Sequence, residues 1–467
     1  MRQRCYGGVR LLGEGPSPDN VARLDHGALP MTHAMMQRGL QVDLDHFKTM
    51  EQTLTDDMDR VTEEVRQLTG YYVNLGSGPQ VSQLLFKKLG LKQARLKMTK
   101  SGDRESVENE VLVAIQHDHP CVPKILNYKE YDKLRGTYVV PMPRLARRVG
   151  HGEWRMFPNL GTTRIPSGRF NCKEPNLLAM PNRTPRGREI CQGFITSPGW
   201  VYLSVDESQI EPRTVAHRSQ DAALTAVYEN EEDIYSDFAI AAFRLPDHRY
   251  RDRDGWHYPG VDKKRHRFPA KTCTLAAIYR VTAVGLLEQM PTVCRNCWAE
   301  ASDHPDTCLG FQPLWNEDNC QEIINSFYTT YPGIIPMQKE DDRRAKQYGY
   351  VWDDWGRLLH TTAVRSVHEY VVSAALREAG NMPIQGFACG TLKLVMAQVQ
   401  DVIEECGLDE LYHPLLPIHD EILGECREDM VEDVSGMITE CFERCVGLRV
   451  PIRASSATAV NWGSLPK

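Results

Sequence analysis

No run of roughly eighteen apolar residues occurs in the chain, so a membrane-spanning helix is not expected and no membrane partner is implied. A secretory leader is not expected either. Met1-Arg2-Gln3-Arg4 carries basic charge, but no apolar segment follows it. The 14 cysteines are scattered rather than set at framework spacing, which speaks against a disulfide-stapled secreted domain and for reduced thiols in a cytoplasmic setting. A basic excess is also lacking: the net charge of -7 gives no overall footprint for nucleic acid. What remains is an ordinary globular composition, 41% hydrophobic and 25% charged, in a chain long enough for two to four lobes around a large core.

Against that acidic background one stretch is basic. From Arg244 to Lys271, nine Lys or Arg stand against four Asp, interleaved with Tyr250, Trp256 and Tyr258. Two other stretches carry acids in telling places. In Trp200-Val201-Tyr202-Leu203-Ser204-Val205-Asp206, the alternation of Val201, Leu203 and Val205 predicts a strand that delivers Asp206 at its tip. A lone carboxylate there is costly unless a cation neutralises it or it caps the following helix with Ser208. Far downstream, Leu415 to Glu425 reads as a tight hairpin with His419, Asp420 and Glu421 at the turn. Two strand-end carboxylates, Asp206 and Asp420, could share a pair of divalent cations. Oxygen-only ligation suits magnesium or manganese, and a two-metal site suits in-line phosphoryl displacement.

In chain order, residues 1–24 read as a flexible leader rich in Gly and Pro. Helical spacing begins near Asp25 and continues through Phe47, Met50, Leu54, Met58, Val61 and Val65. A short helix over 78–92 is stopped by Gly90, and further helices are expected over 107–117 and 122–138. Tyr128 and Asp132 are spaced as in some nuclease sites, but no acidic cluster precedes them and they read as helix surface. Residues 140–200 are Pro- and Arg-rich extended chain, with Arg and Asn suited to phosphate, sugar and minor-groove contacts. Helix is again expected over 221–243. In Arg267 to Arg280, Pro269 fits a first helical turn, and Arg267, Lys271, Leu275 and Tyr279 recur at steps of four. They share one broad face about 18 Å long, able to take a nucleoside triphosphate with its phosphates at the helix N-terminus.

Together these stretches resemble the three core motifs of family A DNA polymerases. Asp206 to Arg213 is similar to the first motif, Arg267 to Tyr279 to the second and His419-Asp420-Glu421 to the third. Ser167-Gly168-Arg169, Pro175-Asn176-Leu177, Met180-Pro181 and Arg377 to Gly386 are similar to the family's template-primer elements, and Asn461-Trp462 to its closing segment. The resemblance implies an α+β right-hand fold. Its palm is an antiparallel sheet from residues 141–232 and 361–467, its helical fingers span 233–360, and a helical thumb spans 25–140.

It also implies a DNA-directed DNA polymerase working on primer-template DNA and deoxynucleoside triphosphates. Asp206 and Asp420, with the backbone carbonyl of Glu207, would hold two magnesium ions, or manganese, beside Glu421. Arg267 and Lys271 would bind the triphosphate, with Lys271 protonating the leaving pyrophosphate. Leu275, Tyr279, Glu211 and Gln209 would border the nucleotide, Glu211 blocking a 2′-hydroxyl. Arg169, Asn176, Arg377, Asn381, Gln385 and His419 would contact DNA. A single-subunit RNA polymerase, which Glu211 opposes, and a non-catalytic DNA-binding scaffold are the alternatives.

The chain departs from the family pattern at Leu275 (usually Phe or Tyr), Arg280 (Gly), Tyr235 (His) and Leu178-Ala179 (Gln-Asn). None of these removes a metal ligand. Few residues precede the polymerase region, so proofreading is expected from a separate exonuclease or replisome protein, and viral DNA replication in a bacterial or virus-infected cytoplasm is the expected setting. One insertion at 294–320 stands outside the resemblance. There Cys294, Cys297, His304 and Cys308 have zinc-compatible spacing, with Cys320 an alternative to His304 and reduced thiols in an ordered loop the other reading.

Overall fold

The expected strand and hairpin form one sheet. In the computed structural model, which describes all residues except 1–8, 10, 12–14, 93–97, 100, 101, 103, 292, 298–307, 309–312 and 467, four antiparallel strands run in the order β2-β3-β1-β4. These are β1 (Trp200–Glu207), β2 (Tyr412–Ile418), β3 (Glu421–Arg427) and β4 (Ala454–Ala459). Residues 201–205 of β1 are all buried, as expected of a central strand covered on both faces.

Helices surround the sheet. α1 (Pro18–Gly27) begins inside the stretch expected to be a leader, because Ser17 accepts from the Asn20 N–H and Pro18 occupies the first turn. α2 (Leu29–Arg38) packs on β2. The expected apolar stripe is then broken at Gly39, after which α3 (Leu44–Thr69) is capped by Asp43, which accepts from the N–H groups of Asp45 and His46 at 2.9 and 3.1 Å. α3 pairs with α4 (Cys121–Leu134). After β1 come α5 (Ile210–Ser219), α6 (Ile234–Phe243), α7 (Phe268–Ile278), α8 (Glu317–Thr330) and α9 (Ile334–Tyr348). The spine is α10 (Glu369–Cys406), 38 residues long with Pro383 inside it, and α11 (Val431–Arg444) closes the sheet's far face against β1 and β4.

Buried apolar residues gather in three large clusters among the described residues. One surrounds the sheet and reaches from Leu24 to Leu54 and from Phe387 to Leu465. A second joins α6, α7 and α8, with Phe238 edge-on to Phe327, and extends back to Val215 and Tyr228, earlier in the chain than the expected boundary at 233. A third lies between the far half of α3 and α4, from Val61 to Ile125. α3 thus bridges two cores. The N-terminal helices are tied to the spine by charge as well: fully buried Lys393 donates to Asp25 at 2.6 Å and to the Thr162 carbonyl at 2.8 Å, while Arg357 donates to the same Asp25 oxygen at 2.8 Å. Removing Asp25 would leave two buried cations side by side without a carboxylate between them. No helix among the described residues is long and apolar enough to cross a membrane.

Candidate active site

Strand register brings the two acids together. Asp206 lies directly opposite Glu421 in the β1–β3 ladder, and the Glu207 N–H donates to the Asp420 carbonyl at 3.1 Å, which fastens the hairpin turn to the end of β1. His419 takes a left-handed conformation, φ 54°, at the exposed tip. Glu421 belongs to the first position of β3 rather than to the turn, and Ser204, two residues before Asp206 on the same face, donates to its carboxylate at 2.7 Å.

The electrostatics show a site short of positive charge. Burial first, then Glu211 and Asp206, push the Asp420 carboxyl up to about 7 against the opposing Arg169. Glu207 points to the opposite face of the sheet. Both of its carboxylate oxygens are buried without a hydrogen bond, and burial first, then Asp420 and Asp206, hold its pKa far above the usual range. The donors that remain accessible are carboxylate oxygens, which fits hard divalent cations. No trio of carboxylates among the described residues has its oxygens within 4.8 Å of one another, so ions here would be completed by ligands beyond the protein's carboxylates rather than by an all-protein cage.

On α7 the steps of four survive. Arg267, Lys271, Leu275 and Tyr279 are all at least partly exposed, while Ala270, Cys273 and Ala277 between them are buried in the second core. Arg267 lies in a widened turn (Lys263–Arg267) ahead of the helix and Tyr279 caps its end. Arg267 forks onto Asp233 at 2.7 and 3.0 Å, a partner that sequence reading did not supply. Tyr235 lies beneath both cations, its ring 5.3 Å from the Arg267 guanidinium and 5.5 Å from Lys271 Nζ. Burial chiefly, with Asp233, pushes the Tyr235 hydroxyl up to about 12.

At the other end of α7, the buried Tyr279 hydroxyl lies beside Glu211 and Gln385, and burial first, then Glu211, raise its pKa against the opposing Arg169 and Gln385. Arg169 donates to Glu211 at 2.6 Å. Asn381 and Gln385 follow one turn apart on α10, and the Asn381 side-chain oxygen is buried and unpaired. Arg169, Glu211, Tyr279, Gln385, Asp206 and Asp420 therefore act on one another in one cluster. Other expected contacts sit apart from these interactions. Gln209, in a left-handed cap before α5, accepts from Tyr228 at 3.2 Å; Arg377 is exposed and donates to Ser373 at 3.1 Å; Asn176 is exposed ahead of a short helical turn.

Arg280 was also unforeseen in its role. With φ 59° it turns its guanidinium onto Asp342 and the carbonyls of Gln338 and Leu376, in space that a Cβ on Gly380 would fill. The thiols Cys294, Cys297 and Cys308 also converge, their sulfurs within 4.8 Å of one another, whereas Cys320 is buried in α8 outside that trio and His304 lies outside the described residues.

Comparison with known proteins extends the pattern over nearly the whole chain. It is 29% identical over 429 residues to the thermostable DNA polymerase I of Thermus filiformis, an alignment covering 92% of this chain and 46% of that protein. Likewise, it is 30% identical over 468 residues to that of Thermus thermophilus, covering 99% and 50%, and 29% identical over 460 residues to DNA polymerase I of Chloroflexus aurantiacus, covering 98% and 44%. The chain thus spans about half the length of the curated relatives it matches. Its fold is similar to the POL domain of Pol1 from M. smegmatis, solved in complex with DNA primer-template and dNTP, with a TM-score of 0.79 at 24% identity over 95% of this chain and 72% of that one. The family model for DNA polymerase family A matches residues 44–464, which include both strand-end acids, α7 and the hairpin, and the chain belongs to that family.

Proposed function

We propose that this chain extends a primer by template-directed addition of deoxynucleotides, through attack of the primer 3′-oxygen on the α-phosphorus and release of pyrophosphate. The observation that carries the reading is the pairing of Asp206 and Asp420 at adjoining strand ends, where the register sets Asp206 opposite Glu421 and the Glu207 N–H holds the Asp420 carbonyl. Two magnesium ions held by these acids and the Glu207 carbonyl would activate the attacking oxygen and stabilise charge on the leaving group. The remaining work is positioning and electrostatics. Arg267 and Lys271 bind the triphosphate at the start of α7, and Lys271 donates a proton to the departing pyrophosphate. Tyr235, where the family commonly has His, keeps its proton at neutral pH and serves as a neutral donor there. Glu211, steadied by Arg169 and set beside Tyr279, closes the space a 2′-hydroxyl would need. Arg169, Asn381, Gln385 and His419 contact the duplex near the primer end.

In this reading the sheet and its core form the palm, the second core the fingers and the third core the thumb. We place no proofreading step in these residues, and Tyr128 packs against the third core from α4. Primer extension with deoxy- and ribonucleotides, comparing the native chain with Asp420→Ala, is the direct test. Extension by the variant at the native rate would end the proposal.

A further inference from the structure

The cysteine segment between α7 and α8 lies apart from the polymerase chemistry, and its geometry is specific. Its two limbs meet in a short bridge between Cys294 and Pro313, supported by a hydrogen bond from the Leu314 N–H to the Val293 carbonyl at 2.9 Å. Cys294 is fully buried at that neck. A turn through the exposed Arg295 and Asn296 returns Cys297 to it, and Cys308 arrives from the other limb. All three sulfurs lie within 4.8 Å of one another, and those of Cys294 and Cys308 are 3.9 Å apart.

That spacing is far too long for a disulfide bond, whose sulfurs stand about 2.05 Å apart. It is close to the edge of a tetrahedron of thiolates around zinc, where bonds of about 2.3 Å set the sulfurs roughly 3.8 Å apart. Three thiols also cannot pair off as disulfides without leaving one over. A bound cation would stabilise all three thiolates at once.

We propose that Cys294, Cys297 and Cys308 bind a structural zinc ion that fastens the neck of this segment to the second core. The site supplies soft sulfur ligands at Cys-x-x-Cys spacing from one limb and a third from the other, which is the arrangement by which zinc substitutes for a missing apolar core. The site is independent of the carboxylate cluster, so it stands or falls separately from the polymerase reading.

The test is metal analysis of untagged full-length chain purified without added metal or chelator. One zinc per chain is expected. Cys297→Ser and Cys308→Ser should each lose it, while Cys406→Ser, which alters an exposed cysteine on α10, should keep it. Cobalt exchanged into the native protein should show a thiolate-to-metal charge-transfer band, a readout that does not depend on how well the variants fold. Absence of zinc together with absence of that band overturns the proposal, as does equal zinc loss from Cys406→Ser.

Discussion

Arg169 reaches Glu211 across 42 residues of sequence, donating to its carboxylate at 2.6 Å, and so fixes an acid that also presses on Tyr279 and Asp420. If Glu211 closes off a 2′-hydroxyl, its truncation should relax sugar selection. For Glu211→Ala the preference for deoxy- over ribonucleotides, as a ratio of kcat/KM values, is expected to fall by about 10- to 100-fold. Arg169→Ala should move the ratio the same way by less. An unchanged ratio in Glu211→Ala would assign that carboxylate a purely structural task.

Asp206 and Asp420 differ in exposure but share the proposed ions. Asp206→Asn and Asp420→Asn should each lower the single-turnover rate of nucleotide addition by about 10³-fold or more, the loss of several kcal/mol of charge stabilisation, with little loss of primer-template affinity. Loss confined to DNA binding would contradict the metal assignment.

Leu275 presents an apolar, partly buried side chain on the face of α7 proposed to take the nucleotide, and an apolar side chain offers no hydrogen bond to a sugar or triphosphate. Dideoxynucleotides should therefore be poor substrates, and Leu275→Tyr should improve their use relative to normal nucleotides. The check is a competition assay read by terminated product. Native enzyme that takes both classes equally well would sink this idea.

Asp353 sits behind α10 at 0% exposure. One carboxylate oxygen accepts from the Trp355 and Arg357 N–H groups at 3.0 and 2.8 Å; the other is buried, unpaired and faces Gly386, where a Cβ would come within 2.4 Å of it. Burial pushes its pKa from 3.8 up to about 7 despite those donors. The unfolded chain thus gives up this proton at lower pH than the folded one, and stability falls as pH rises from roughly 4 to 7. Asp353→Asn removes that contribution. Its stability relative to the native chain should improve between pH 5 and pH 8 by up to about 3 kcal/mol, measured from urea unfolding curves at the two pH values. A pH-independent difference would contradict the mechanism.

The central strand, the hairpin and α7 were legible because each rests on local periodicity: alternation at Val201, Leu203 and Val205, two apolar runs around His419-Asp420, and steps of four from Arg267. The start of α1 was missed, because the surrounding Gly and Pro masked Ser17-Pro18-Asp19, a cap followed by a first-turn proline. Long-range pairings were not legible either. Nothing near Asp25 announces Lys393 or Arg357, 368 and 332 residues away, and nothing near Arg267 singles out Asp233. Widened helical turns at Gln83–Lys88 and Lys263–Arg267 likewise leave no periodic trace, because one extra residue in a turn only shifts the phase of the apolar stripe. The unpaired burial of Glu207 could not be foreseen, since it depends on which face of β1 turns away from the site.

The acids of β1 and the hairpin are aligned by strand pairing, not by the chain that runs between them. Everything from α5 to α10 therefore leaves the sheet and returns to it like a handle on a vessel, and additions to that handle do not disturb the rim. A lineage could lengthen or restaple this excursion, as the cysteine segment illustrates, while the reactive edge stays in place. A slip of one residue between β3 and β1, by contrast, would turn the acids to opposite faces, so catalytic competence doubles as a gauge of correct strand alignment.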